Sequence, residues 1–147
     1  MAKFTRHQAM EIVGKVALEK AGCFVKKRRL NGTIIEMFDV AYPSGYPFFK
    51  GADSEEGAIR GAAEKLLSDS SVCIDVLIDP FNREVMLNRA KNRYGDFLWR
   101  ATIYSTDPAI LLFGVDKSLP VAIALAFTMQ RGVKFDPEIL SALEAEE

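Results

Sequence analysis

The amino-acid sequence predicts an α+β domain in which helices pack on a mainly antiparallel sheet. Segments with apolar residues at helical spacing lie near both ends and in the middle of the chain. Between them lie short segments in which apolar and polar residues alternate, separated by turns that contain glycine or proline. With 147 residues, 49% of them hydrophobic, the chain can bury one core, so we treat residues 1–147 as a single domain.

The clearest helix is predicted over Ser118 to Gly132. Ser118 is a favourable N-cap, Pro120 fits the first helical turn, and Gly132 suits the left-handed position after the last turn. Almost every residue between them is apolar, so the pattern predicts a helix that is buried on most sides.

Three other helices follow from caps and periodicity. An amphipathic helix is predicted over Thr5 to Ala21, with Thr5 as its cap. A middle helix begins after Asp53 or Ser54, and a short last helix opens at Asp136-Pro137. The predicted buried stripe of the middle helix consists of Ala58, Ile59, Ala62, Ala63, Leu66 and Leu67.

Strands are predicted where apolar residues alternate with polar ones or form a short continuous run. The predicted strands are Cys23 to Val25, Thr33 to Tyr42, Phe48-Phe49, Val72 to Ile78, Phe97 to Ser105 and Ala109 to Val115. Residues 79–90 are ambiguous, because Asp79-Pro80 can open a helix or a turn that returns the chain as a strand over Glu84 to Leu87; we favour the hairpin. The resulting order is α-β-β-α-β-β-β-β-α-α.

A ββα duplication is one interpretation of this order. A shift of 63 residues superimposes Gly51 on Gly114, Asp53 on Asp116 and Ala63 on Ala126. Each time, a predicted strand pair precedes the aligned segment and a helix follows it. Three identities are too few to establish a repeat, so the duplication is a topological hint.

Charge is segregated along the chain although the net charge is only −1. Residues 1–35 contain eight basic and two acidic residues, and residues 36–79 contain three basic and nine acidic ones. Residues 80–105 contain five basic and two acidic residues, and residues 106–147 contain three basic and seven acidic ones. Such blocks either meet as opposite faces of the fold or leave one basic surface for an anionic partner. The longest basic run, Lys26 to Arg29, has the same two interpretations: a solvated edge strand or an anion site.

No catalytic or metal site is predicted. The only histidine, His7, has no second histidine with which to hold a metal, and no Ser-His-Asp or Cys-His spacing is present. Cys23 and Cys73 do not form a C-x-x-C motif and are predicted to be reduced, buried thiols in a cytoplasmic protein. We therefore expect a non-enzymatic protein without cofactor. No apolar run is long enough to predict a membrane span.

Binding is the better-supported class of function. Guanidinium groups pair with phosphates, and aromatic faces stack on bases, so cations near aromatics indicate a nucleotide or an anionic partner. The predicted ligand-binding residues are Lys27, Arg28, Arg29, Tyr42, Tyr46, Trp99 and Arg100.

Two resemblances narrow this expectation. The segment Leu119-Pro120 followed by VAIALAFTMQ, set after Trp99-Arg100-Ala101-Thr102, resembles the closing strand and helix of small phage proteins of the NinX and phage ABA-sandwich type. The N-terminal helix over Thr5 to Ala21 is similar in position to theirs. This resemblance implies a non-enzymatic phage or prophage accessory protein that inhibits a host protein or sequesters a signalling nucleotide, as in counter-defence.

The second resemblance is to HicB-type antitoxins. Their strand, Pro/Gly turn and capped helix are similar to Tyr42 to Leu67, YPSGYPFFKGADSEEGAIRGAAEKLL. This resemblance implies a nucleic-acid-binding or antitoxin-like module, which we keep as the alternative function. The expected partner is therefore a host protein or a small anionic nucleotide, and nucleic acid is the less favoured partner. We expect no membrane partner, and the sequence leaves homo-oligomer formation open.

Overall fold

The computed structural model describes residues 3–81, 84–104 and 113–144, and these residues form an α+β fold. The helices are α1 (Arg6–Ala21), α2 (Glu55–Ser68), α3 (Ser70–Leu77), α4 (Leu119–Gln130) and α5 (Pro137–Glu144). The strands are β1 (Phe24–Arg29), β2 (Glu36–Ala41), β3 (Pro47–Ala52), β4 (Val85–Lys91), β5 (Phe97–Ile103) and β6 (Phe113–Asp116). A 3₁₀ turn over Asp79–Phe81 lies between α3 and β4.

Within the described ranges the strands form two antiparallel sheets rather than the single sheet predicted. Sheet A has the order β1-β2-β3, and sheet B has the order β4-β5-β6. Lys26 lies opposite Asp39 in sheet A, and Leu87 lies opposite Ala101 in sheet B. The fold class is confirmed, whereas the count and pairing of the strands are corrected.

The core lies where the helices meet. Helix α2 packs on sheet A, α4 packs on β5 and β6 of sheet B, and α1 contacts both of these helices. Every residue from Pro120 to Thr128 is buried, which confirms the prediction that α4 is enclosed on most sides. The large buried side chains at this centre include Phe127, Leu66, Ile123 and Val13.

Local signals place the helix ends as predicted. The Thr5 hydroxyl accepts a hydrogen bond from the Gln8 amide at 3.1 Å, and the Gln8 side chain accepts one from the Thr5 amide at 2.9 Å, which completes a capping box. The Ser54 hydroxyl caps α2 by accepting from the Gly57 amide at 3.0 Å. Gly22 and Gly132 both adopt positive φ after their helices.

The start of α4 differs in one detail. Ser118 occupies the N-cap position, but its side chain makes no capping hydrogen bond. Instead, the Asp116 carboxylate accepts from the Ser118 amide at 2.8 Å. Asp116, the last residue of β6, therefore holds the turn that leads into α4.

The predicted strand Val72 to Ile78 is wrong, because this segment is helix α3. The Asp69 carboxylate accepts from the amides of Ser71 and Val72 at 2.9 and 3.3 Å, which starts a helix one residue after α2 ends. The buried side chains of α3 are Cys73, Val76 and Leu77, spaced as one helical face. Helix α3 packs against α2 and α4. Its short continuous apolar run is therefore that of a helix buried among other helices and not that of a buried strand.

The strand expected over Glu84 to Leu87 exists, but its partner is different. Strand β4 pairs with β5 and not with the preceding segment, which is helical. The predicted strand Thr33 to Tyr42 begins only at Glu36. Residues 105–112, which include the end of the predicted strand Phe97 to Ser105 and the start of the predicted strand Ala109 to Val115, lie outside the described residues.

The two halves of the chain share one topology. Each half runs helix, three antiparallel strands, helix: α1-β1-β2-β3-α2 and then α3-β4-β5-β6-α4, with α5 following. Both halves therefore contain the ββα order that the sequence suggested, and each half has one more strand and one more helix before it. The aligned glycines have different roles, since Gly51 has a φ of 88° whereas Gly114 is buried against α4.

Candidate functional site

The basic run Lys26 to Arg29 lies on β1, which is an edge strand of sheet A. All four side chains are exposed. Alternation along the strand places Lys26 and Arg28 on one face, and Lys27 and Arg29 on the other. This agrees with the solvated edge-strand interpretation and leaves the anion-site interpretation open.

A shallow depression of about 460 Å³ lies on this part of sheet A. Its lining includes the cations Lys26, Lys27, Arg28 and Lys50. Asp39 and Pro47 complete it. Four cations and one carboxylate make it a net positive surface.

Two of these cations are paired with carboxylates across the sheet. The Arg28 Nε atom lies 2.8 Å from Asp39 Oδ2, and the Lys27 Nζ atom lies 3.1 Å from Glu36 Oε2. Lys26 donates instead to the backbone carbonyl of Gly45 at 3.1 Å, which leaves its charge uncompensated. Among the described residues, neither Lys26 nor Lys50 forms an ion pair, although the charge of Lys50 acts on the Asp39 carboxylate.

Asp39 lies within this depression and accepts hydrogen bonds from Arg28 on β1 and from the Gly51 amide on β3. Burial raises the pKa of the Asp39 carboxyl, but hydrogen bonds from Arg28 and from the Gly51 amide, together with the charges of Arg28 and Lys50, outweigh it. The pKa of Asp39 therefore lies below its usual value. The carboxylate stays ionised at neutral pH and fixes Arg28 against β2.

Substituting Arg28 with alanine tests this arrangement. Because the pKa of Asp39 is lowered in the folded state, its stabilising contribution is present above the unfolded-state pKa and is lost as the pH falls below it. The Arg28 side chain is 42% exposed, so R28A should lower the free energy of unfolding by only about 0.5–1 kcal/mol at pH 7. The difference from wild type in urea unfolding should shrink as the pH is lowered to about 3.

The matched control is R29A, since Arg29 is exposed on the same strand and forms no ion pair among the described residues. This variant should show neither the loss at pH 7 nor the pH dependence. Equal behaviour of R28A and R29A would contradict the role assigned to Asp39.

The two predicted tyrosines differ in exposure. Tyr42 is half-buried, and its ring packs against Phe48 with centroids 5.1 Å apart, so it contributes to the core side of sheet A. Tyr46 is 71% exposed in the turn before β3. Only Tyr46 presents a free ring near Lys26, which bonds to the neighbouring Gly45.

Trp99 and Arg100 lie elsewhere, on β5 of sheet B. As neighbours on a strand they face opposite sides of that sheet. Trp99 packs partly against the core, whereas Arg100 is exposed and stacks over Phe113 at 4.9 Å. The seven predicted residues therefore lie on two sheets and do not form one surface.

Lys50 and Asp39 were not among the predicted site residues. Lys50 comes from β3 and Asp39 from β2, and both join Arg28 only through the register of the sheet. Nothing in the sequence identifies the strands with which β2 pairs. Cross-strand register is the signal that would have found Lys50 and Asp39.

Other reactive groups do not form a site in the described parts of the chain. Burial raises the pKa of Cys23 to about 11 and that of Cys73 to about 12, so neither thiol is activated as a nucleophile. Both cysteines are free. Over residues 3–81, 84–104 and 113–144, no cluster of His, Cys, Asp or Glu is arranged to hold a metal ion, and no helix could cross a bilayer.

A scan against models of known protein families finds no match for this chain. A search of curated proteins also finds no significant match. The resemblances to phage accessory proteins and to antitoxins therefore stay predictions from the sequence.

Proposed function

We propose that the protein is a non-enzymatic accessory protein of phage origin that binds an acidic surface of a host protein in the bacterial cytoplasm. The observation that carries the proposal is the basic depression of sheet A, where four cations surround one carboxylate and where, among the described residues, Lys26 and Lys50 form no ion pair. The phage origin is supported by the sequence resemblance alone.

The shape of the depression favours a protein over a small molecule. Pockets for small ligands are concave and bury most of the ligand surface. Here three of the four cations lie on β1, which is an exposed edge strand, so a ligand would remain largely in solvent. A flat, cationic face instead complements an acidic patch on another protein and speeds their encounter.

Sequestration of a signalling nucleotide is the second candidate. The volume of the basic depression, about 460 Å³, is within the range of ligand pockets. The exposed ring of Tyr46 lies in the turn that Lys26 contacts. Such a nucleotide would place its phosphates on the lysines and its base on the tyrosine. A second copy of the chain would be needed to enclose it.

The double variant K26A/K50A tests the depression directly. The tagged protein is used to capture partners from a bacterial host extract, and bound proteins are compared with those held by the control K20A/K134A. Lys20 and Lys134 are exposed and lie outside sheet A, so the control removes the same charge. We expect a specific acidic host protein to be retained by wild type and control, and to be lost from K26A/K50A.

Native mass spectrometry of gently purified wild type separates the two candidates. A bound mass of nucleotide size that is absent from K26A/K50A would favour sequestration, and the same spectrum gives the oligomeric state. Retention of the same host protein by K26A/K50A and by wild type would refute docking through the depression.

A further inference from the structure

The β4–β5 hairpin carries a second cationic surface that the basic depression does not include. Strand β4 pairs with β5 along seven residues but makes little contact with any helix in the described parts of the chain. Val85, Leu87 and Trp99 pack partly against the core, whereas the residues from Arg89 to Phe97 are mostly exposed and extend from the core as an arm. The distal half of the hairpin, Arg89 to Trp99, lies on a different sheet from the depression.

The tip of the arm is an ordered turn. The Asn92 amide donates to the Asp96 carbonyl at 2.9 Å, and the Asn92 side chain accepts from the amides of Tyr94 and Asp96 at 2.9 and 3.0 Å. Gly95 supplies the positive φ of 85° that this turn requires. The turn holds Tyr94 with 72% of its surface exposed.

Cations and aromatic rings share one face of the arm. Arg89 lies opposite Trp99 and Lys91 lies opposite Phe97, so the four side chains are on the same side of the hairpin. The Arg89 guanidinium carbon is 5.0 Å from the Trp99 ring centroid and 5.1 Å from that of Phe97. Lys91 Nζ is 5.1 Å from the same Phe97 centroid.

At the tip, Arg93 stacks over Tyr94 with the guanidinium carbon 4.9 Å from the ring centroid. Each cation of the arm thus rests on an aromatic ring. A guanidinium placed over a ring still has N–H donors that can pair with phosphate oxygens.

These positive charges are not neutralised within the described residues. Arg89, Lys91 and Arg93 form no ion pair there, whereas Lys27 and Arg28 of sheet A each have a carboxylate partner. Two cations over the single ring of Phe97 repel each other. An anionic ligand with regularly spaced charges would remove this repulsion.

We infer that the distal half of the β4–β5 hairpin, Arg89 to Trp99, is a binding arm for single-stranded nucleic acid. Spaced phosphates match the row of Arg89, Lys91 and Arg93. Unpaired bases match the rings of Phe97 and Tyr94, of which 55% and 72% are exposed. A duplex would hide its base faces, and the carboxylate side chains of an acidic peptide provide no flat rings to stack.

The test is fluorescence anisotropy with a labelled oligothymidylate of about fifteen nucleotides, measured over a series of salt concentrations. We expect wild type to bind it, with an affinity that falls as salt rises. The variant R89Q/K91Q/R93Q should bind at least tenfold more weakly, and the slope of log affinity against log salt should decrease by about 2, since three phosphate contacts are lost. Y94A should bind at least about fivefold more weakly at every salt concentration.

The matched control is K20Q/K117Q/K134Q, which removes three exposed charges outside the hairpin and should keep the affinity and the salt slope. Trp99 is the only tryptophan of the chain, so its fluorescence should change when the oligonucleotide binds and reports the location of binding. Thermal unfolding of each variant verifies that it is folded.

Three results would overturn the inference. They are no binding of the oligothymidylate by wild type, binding of a duplex of equal length or of polyglutamate as tightly as the single strand, and equal losses in the hairpin and control variants. Because the depression on sheet A is intact in R89Q/K91Q/R93Q, this experiment fails or succeeds independently of the proposed function.

Discussion

The variant R6A is expected to lower the free energy of unfolding by about 3–5 kcal/mol, because it leaves a buried carboxylate without its partner. The Arg6 guanidinium donates to both carboxylate oxygens of Asp116, at 3.0 and 2.7 Å, and both side chains are buried. It also donates to the backbone carbonyl of Leu143. One side chain thus joins the start of α1, the corner between β6 and α4, and α5.

Chemical denaturation measures this loss, and R60A is the matched control. Arg60 also forms two ion pairs, with Glu11 and Glu56, but its side chain is 57% exposed, so its removal should cost about 0–1 kcal/mol. A loss for R6A no larger than that for R60A would contradict the structural role of the buried pair. Replacing both partners, as in R6M/D116L, should recover part of the loss.

The variant G114A is expected to lower the free energy of unfolding by about 3 kcal/mol, because β6 lies directly against the backbone of α4. A Cβ atom at Gly114 would lie 2.7 Å from the Ala126 amide nitrogen and 2.8 Å from Leu125 Cβ, and would overlap the Ala122 carbonyl oxygen. Two of these three atoms belong to the helix backbone and cannot rotate away. Sheet B would have to move off α4.

The comparison variant is G61A, measured by thermal and urea unfolding alongside G114A. At Gly61 the three atoms nearest to the added methyl group all belong to the ring of Phe49, which is a side chain and not helix backbone. Alanine also gains about 1 kcal/mol over glycine within a helix, which offsets part of the clash. G61A should therefore be the milder change, and F49L/G61A milder still. A larger loss for G61A than for G114A would refute this account of β6.

Helix ends were predictable because their signals are local. Thr5 with Gln8 and Ser54 with Gly57 form caps within one turn. The sequence alone indicated Thr5 for α1 and either Asp53 or Ser54 for α2. The same reasoning failed at Val72 to Ile78. In a short, wholly apolar run the hydrophobic pattern does not distinguish a buried strand from a buried helix. The signal that favours a helix here is the Asp69 cap, which lies just before the run.

Of the candidate site, only the run of basic residues on β1 was predictable from the sequence. Lys27, Arg28 and Arg29 were predicted together and lie together on β1. Trp99 and Arg100 were grouped with them, yet they belong to sheet B, since composition does not say which strands pair. Arg6 was missed because its partner Asp116 is 110 residues away in sequence.

The sequence by itself determined the α+β class, the buried character of α4, the cap of α1 and the start of α2 to within one residue. Each depends on residues within a few positions of one another, where propensity, capping and alternation act. Only the tertiary structure decided that the strands form two sheets, that α3 is a helix, and that Arg6 binds Asp116. These features depend on contacts between distant segments, whose free energy comes from shared burial in the core and has no local signature.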